Sequence, residues 1–384
     1  MITADRKLRV GVIFGGRSGE HAVSLESARS VLRALDRSRY DVVQIGITED
    51  GAWVTGENVL DVLASDNPAE RIAELTPVTI LPDPSRRGLY AIQRDDEQVL
   101  HHLADLDVVF PVLHGTYGED GTLQGLLEMA DMAYVGAGVL GSAVGMDKSV
   151  FKDVMRANHI PVVDWMVFTR TEIENEIEEV MERIRSLGSY PLFVKPANLG
   201  SSVGITKCVS RGDLVEGLLE AARYDRRVLV EVGLNAREIE VSVLGNEEPQ
   251  VSVPGEILPS QEFYSYAAKY LNGTSDLLIP APLPRETTQL VQELAVKAYK
   301  AIDCGGMARV DFLLEKDASI HAQEDGLYLN EVNTIPGFTE ISMYPKLWEA
   351  SGLRYPALLD KLIELALERK MERDKTERRF HGSS

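Results

Sequence analysis

Apolar residues fall into short runs broken by glycine turns, alternating with stretches of helical spacing. Leu8 to Phe14 is the first run, Gly15-Gly16 turns the chain, and Ser18 to Leu35 sets Val23, Ala28, Val31, Leu32 and Leu35 on one helical face. A second strand is expected at Asp41 to Ile47 and a third at Asp107 to Leu113, ending at His114. A helix from Thr122 and a short strand with a glycine turn at Tyr134 to Gly138 follow. Strand, turn, helix and strand in that order predict a parallel sheet with helices on its faces. Gly51 to Gln98 is rich in Pro, Asp and Arg and yields no element.

Beyond Ala137 the pattern changes. A helix is expected at Asp147–Asn158, stopped by Ile160-Pro161, because proline restricts its predecessor and donates no hydrogen bond. Strands at Val162–Phe168, Leu192–Lys195, Gly204–Cys208 and Arg227–Val232, with helices at Thr171–Leu187 and Asp213–Arg223, make a small α+β unit. The remainder carries strands at 237–244, 249–253, 306–315 and 326–332 and a helix at 285–302. Residues 255–282 have no clear period and read as a long functional loop. The expected division is residues 1–136, 137–231 and 232–370, with 371–384 a charged, disordered tail.

Composition narrows the function. The 384 residues are 44% hydrophobic and 26% charged, as in an ordinary globular protein. A net charge of −20 argues against a nucleic-acid binder, which needs a basic face, but leaves room for a local phosphate pocket. Cys208 and Cys304 lack metal-like spacing and read as buried thiols. No signal peptide and no membrane span are read, so a cytoplasmic protein is expected.

Two stretches carry candidate chemistry. In Lys195-Pro-Ala-Asn-Leu-Gly-Ser-Ser-Val-Gly204 a strand delivers a lysine to a loop of glycines and serines. Such backbone approaches an anion closely, although by itself the stretch is equally a plain hairpin. It is not the Gly-x-x-x-x-Gly-Lys-Ser/Thr phosphate loop. In Ala308-Arg-Val-Asp-Phe312, Arg309 and Asp311 share one strand face, and in Leu329-Asn-Glu-Val-Asn333, Glu331 and Asn333 do the same. Antiparallel pairing would bring Asp311, Glu331 and Asn333 together beside Arg309. Crowded hard oxygens repel unless a cation fills the gap, which suits Mg²⁺ carrying nucleotide phosphates; the bland alternative is a solvated polar sheet face.

With these stand Gly15-Gly-Arg-Ser-Gly-Glu-His-Ala-Val-Ser24, Leu113 to Gly125, Met146-Asp-Lys148 and Asn330 to Gly337. Together, in this order, the stretches resemble the D-alanine–D-alanine ligases of the ATP-grasp superfamily from residue 10 to about 350. The resemblance implies a three-domain α/β and α+β ATP-grasp fold with an N-terminal parallel-sheet domain. It implies ATP-dependent joining of two D-alanines through an acylphosphate, two Mg²⁺ ions replaceable by Mn²⁺, and a homodimer. By the same resemblance Lys148 and Lys195 hold ATP phosphates with Ser201 and Ser202, and Lys269 reaches the γ-phosphate. Adenine lies against Glu231, Val232, Gly233 and Leu234, and Glu238 takes the ribose. Asp311, Glu331 and Asn333 bind the metals, while Arg309 and the Gly337 N–H hold the oxyanion. Glu20 takes the first ammonium and links through Ser201 to Tyr270; His114 favours the first carboxylate, and Ser342 with Met343 the second. Tyr270, in place of the histidine of depsipeptide-forming relatives, favours the dipeptide. Ala22, where many relatives have an acid, and Val232-Gly233, lacking a Lys-aromatic pair, depart from the family pattern.

Three rival readings fit the residues less well. A nucleotide-binding regulator does not need an oxyanion arginine. A Rossmann oxidoreductase would need Gly-x-Gly-x-x-Gly and an acid where Gly46-Ile47-Thr48 stands. A depsipeptide ligase is disfavoured by Tyr270.

Overall fold

A computed structural model describes residues 6–94, 98–200, 203–258, 276–316 and 326–377. Three sheets organise it. The first has seven strands, in the order 98–104, 89–94, 76–80, 53–55, 40–47, 8–15 and 108–112. Leu8–Gly15 is parallel to both Tyr40–Ile47 and Val108–Val112, as the strand–turn–helix pattern required. Its first helix runs His21–Ala34 and buries Val23, Leu25, Ala28, Val31 and Leu32.

The outer strands of this sheet were not foreseen. Trp53–Thr55, Thr76–Ile80, Leu89–Arg94 and Gln98–Ala104 join antiparallel from the stretch that had yielded no element. Trp53–Thr55 has only three residues, Pro77 breaks Thr76–Ile80, and Leu89–Arg94 and Gln98–Ala104 do not alternate cleanly, so the two-residue period barely registers.

The second sheet has four strands in the order 206–208, 192–196, 227–232 and 165–169, all antiparallel. The expected helix 171–187 is two, Arg170–Asn175 and Ile177–Ile184, because Glu176 leaves the helical region. Thr169 and Glu172 form a capping box at the start of the first. Helix Val139–Met146 went unread, since two glycines in eight residues look like punctuation.

The third sheet holds Ala236–Gly245 between Gly255–Leu258 and Gly306–Glu315, with Leu327–Asn333 beyond the latter. Gln250–Val251 is a short side branch. Gly255–Leu258 and Asp276–Leu278 are strands within the segment read as a loop. Two further helices, Met343–Ala350 and Tyr355–Arg373, follow. The second enters the expected tail by three residues, and Arg373 reaches back to Glu128 at 2.5 Å.

That last helix explains how the first and last parts of the chain hold together. Leu358, Leu359, Leu362 and Ile363 share one core with Val10, Val12 and Phe14 of the first sheet and with Phe338, Tyr344 and Trp348. Each such side chain contributes roughly 1.5–3 kcal/mol when fully buried. The second sheet keeps a separate core around Phe168, Val194, Leu218 and Val230. Among the described residues no helix is long and apolar enough to cross a membrane.

Candidate active site

The third sheet supplies one wall. Gly306–Glu315 and Leu327–Asn333 pair antiparallel with Asp311 opposite Glu331 and Arg309 opposite Asn333, the convergence expected from spacing. A register shift follows Asp311. Sequence reasoning missed the third strand's part: Glu240 stands opposite Asp311, and Ser242 opposite Arg309. Its signal was the alternation of Glu238 and Glu240 with apolar Ile239 and Val241.

Arg309 is the electrostatic centre of this wall. Its Nε and Nη2 donate to the two oxygens of Asp311 at 2.7 and 2.6 Å, and Nε lies 3.0 Å from Glu240 Oε2. Burial works against its charge, but Asp311, Glu240 and Glu331 outweigh that and raise its pKa well above the ordinary value. Asp311, expected as a metal ligand, thus gives both oxygens to Arg309. A carboxylate has about four lone-pair sites, so a cation and the guanidinium fork are compatible on it.

Asn333 Oδ1 is buried and accepts no hydrogen bond among the described residues. An orphaned buried amide oxygen beside carboxylates is a donor set that fits a hard cation. Among the described residues no three His, Cys, Asp or Glu side chains form a metal-type cluster; the set here is mixed, two acids and an amide.

The second sheet and the helix Lys148–Ala157 supply the facing wall. Asp147 caps that helix by accepting from Val150 N at 3.0 Å and also meets Arg227. Lys148 Nζ donates to the Leu199 carbonyl at 2.5 Å, so this lysine is fastened to the glycine loop. Burial lowers its pKa, with Lys195 adding to that effect and Glu331 opposing it.

Lys195 contacts Glu231 Oε1, and Lys152 Nζ lies 3.2 Å from Glu231 Oε2. Burial alone would raise the Glu231 pKa; Lys195 and Lys152 instead bring it down to about 2. Lys152 was not singled out from the sequence, though it stands four residues from Lys148 on the same helix.

The first sheet closes the third side. Glu20 is only 8% exposed. Ser18 Oγ accepts from the Glu20 N–H at 3.0 Å and donates to the His114 carbonyl at 2.8 Å. A side chain on Gly115, whose φ is +74°, would run into Glu20 Oε2, and one on Gly200 would come within 2.7 Å of the same atom. These two glycines let a carboxylate lie between the first domain and the glycine loop.

His114 is held from both sides and lines a smaller neighbouring cavity beside Gly16 and Arg17. Its Nδ1 faces the Ile335 carbonyl at 3.0 Å, its Nε2 faces Ser27 Oγ at 2.9 Å, and Glu119 Oε1 lies 3.6 Å from Nδ1. Burial disfavours its charge, yet Glu119, Glu20 and the Ile335 carbonyl raise its pKa. With both ring nitrogens engaged behind the wall, it braces the junction rather than reaching the larger cavity. Its place at the end of a central strand put it in the seam.

One cavity of about 560 Å³ gathers Glu20, Lys148, Gly200, Arg309, Glu331, Asn333, Gly337, Ser342 and Met343. Glu26, Arg29 and Arg33 from the first helix also line it, and none of these was anticipated. Ser342 Oγ lies 2.7 Å from Thr339 Oγ1 and accepts from Thr339 N at 3.1 Å, at the start of helix Met343–Ala350. The first-turn N–H groups of a helix favour an anion there. Met343 itself is buried against Ile257 and Leu347.

Lys195, Glu231, Val232, Gly233, Leu234, Glu238 and Asp311 do not line this cavity; they stand behind or beside it. The Gly233 N–H is bonded to the Pro191 carbonyl at 2.9 Å. Ser201, Ser202, Lys269 and Tyr270 lie outside the described residues.

A lysine-bearing sheet and a carboxylate-bearing sheet facing one cavity beside a glycine loop are the plan of the ATP-grasp enzymes. Family models described as D-ala D-ala ligase N-terminus and D-ala D-ala ligase C-terminus match residues 9–137 and 154–364. The chain is 47% identical to the D-alanine–D-alanine ligase of Natranaerobius thermophilus, over 98% of this chain and 100% of that one. It is 51% identical to that of a Thermoanaerobacter species, over 94% and 97%. Among solved structures it resembles the Coxiella burnetii D-alanine-D-alanine ligase, with TM-score 0.78, 39% identity and 96% of each chain covered. It also resembles the VanG D-Ala:D-Ser ligase of Enterococcus faecalis, with TM-score 0.81 and 36% identity over 94% of this chain and 100% of that one. The chain belongs to the D-alanine–D-alanine ligase family.

Proposed function

We infer that this protein joins two D-alanines, with ATP cleaved to ADP and phosphate, making D-alanyl-D-alanine for peptidoglycan precursors. The observation that carries the reading is the single cavity lined by Arg309, Glu20, Gly337 and Ser342 together. Those are a cation for developing negative charge, an acid for an ammonium, and a helix terminus for a carboxylate.

In this reading Lys148 and Lys195 hold the phosphates, with Ser201, Ser202 and Lys269. The first D-alanine rests its ammonium on Glu20, and one carboxylate oxygen attacks the γ-phosphorus as ADP departs. The amine of the second D-alanine, its carboxylate on Ser342, then adds to the acyl carbon. Arg309 and the Gly337 N–H stabilise the oxyanion until the C–O bond to phosphate breaks. Positioning and charge neutralisation supply the catalysis, with no covalent nucleophile. Asp311, Glu331 and Asn333 would hold two Mg²⁺ or Mn²⁺ ions, whose chemistry is to neutralise phosphate oxygens. Glu231 to Leu234 border the adenine, and Glu238 the ribose. His114 supports the site through Ile335 and Ser27. We also propose a cytoplasmic homodimer, to be checked by sedimentation.

Phosphate release measured with D-alanine, L-alanine, D-serine and D-lactate, with and without Mg²⁺, tests the reading. Release with D-alanine and Mg²⁺, together with dipeptide, is expected. Preference for D-serine or D-lactate at the second position would reassign the substrate, and nucleotide binding without turnover would remove the activity.

A further inference from the structure

Lys148, Lys152 and Lys195 are neighbours beside the cavity, and two of them share one acid. Lys152 and Lys195 hold opposite oxygens of Glu231. The two lysines are not equivalent. Lys152 is 1% exposed, its Nζ lies 5.5 Å from the centre of the Trp165 ring, and Glu231 is the acid it meets. An ammonium so enclosed stays with its counter-ion, because leaving it would strand a charge away from water. Lys195 keeps 12% of its side chain exposed, so its ammonium is not enclosed in the same way.

An ammonium has three N–H donors, but one drawn onto Glu231 divides them between the acid and a phosphate, and giving all three to the phosphate means leaving the acid. Were Lys195 the sole partner of Glu231, moving it would leave a buried carboxylate unpaired, and that penalty would cancel the gain at the phosphate. With Lys152 in place the acid stays neutralised whether Lys195 is present or absent. We propose that Lys152 is a positioning residue that retains Glu231, so that Lys195 can be released from it to a nucleotide phosphate. The proposal rests on the reading that Lys195 holds ATP phosphates.

Calorimetric titration of ADP and of adenosine, with Mg²⁺ present, isolates the phosphate contribution as the ratio of the two dissociation constants. Damage to the adenine pocket or to the fold weakens both ligands alike and leaves the ratio unchanged. In Lys152→Met the ratio should shrink about 10-fold or more, the scale of one charged hydrogen bond. Lys152→Arg should preserve it. Adding Glu231→Gln to Lys152→Met should restore it, because Lys195 is then no longer held.

A ratio unchanged in Lys152→Met but reduced in Lys195→Met overturns the proposal and leaves the phosphate role of Lys195 standing. An unchanged ratio in Lys195→Met overturns that role and the proposal with it. Should Lys152→Met fail to fold, Glu231→Gln alone decides: Lys195 is free in it, so a reduced ratio there also overturns the proposal.

Discussion

The two walls of the cavity are electrostatic opposites. Among the described residues, the third sheet groups Glu240, Asp311 and Glu331 about Arg309 at and just behind the cavity, whereas the helix Lys148–Ala157 and the second sheet together group Lys148, Lys152 and Lys195 about Glu231. Each wall keeps a buried opposite charge, so each is tolerable in the low dielectric before anything binds. Counted over the residues named here, the first group is rich in negative charge and the second in positive charge. A polyanion against the lysines and divalent cations against the acids would complete both at once. The lesson is that the counter-ion on each wall sets both its stability and its readiness to bind.

The comparison can be broken most severely at Arg309. Arg309→Ala removes the guanidinium that Glu240 and Asp311 share, so we expect a loss of about 3–5 kcal/mol in denaturant unfolding together with a fall in kcat of about 10²–10³. Unchanged stability would mean that Arg309 is not the wall's counter-ion. Glu331→Gln keeps the side chain's shape and removes its charge; kcat should fall about 10²-fold at near-wild-type stability. Full turnover in the purified variant would remove Glu331 from the reaction.

Gly200→Ala pushes on Glu20 where the glycine loop meets the first domain. KM for D-alanine should rise about 10-fold, equivalent to about 1.4 kcal/mol, and steady-state titration checks it. The lysine wall has its own signature in acid. The Glu231 pKa falls from 4.5 to about 2 on folding, so its contribution is complete above pH 4.5 and disappears as pH drops toward 2. Glu231→Gln should therefore flatten the loss of stability across that window, and an unaltered acid limb would contradict the buried clamp. The smallest effect lies at the wall's outer edge, where Arg156 covers Trp165 at 4.0 Å and pairs with exposed Asp164. Arg156→Ala should shift the unfolding free energy by only about 0.5–1 kcal/mol.

Much of this architecture was legible in residue order. The glycine turn after Phe14, the parallel strands flanking it, and the facing of Asp311 with Glu331 follow from periods of 3.6 and 2.0, which local sterics enforce. The family-like stretches named Glu20, Lys148, Arg309, Glu331, Asn333, Gly337 and Ser342, and the fold gathers these around one cavity. The strands between Trp53 and Ala104 were illegible because Trp53–Thr55 is too short, Pro77 interrupts Thr76–Ile80, and the other two do not alternate apolar and polar residues cleanly.

Local sequence therefore determined which elements form and which polar residues share a face. Only the tertiary structure decided which charges would be neighbours. Glu240 reaches Arg309 from a strand about 70 residues away, Glu231 sits between a helix lysine and a strand lysine, and His114 is taken up by Ser27 and Ile335. Coulomb energy depends on distance through space and on burial, and neither is written in the spacing of residues along the chain.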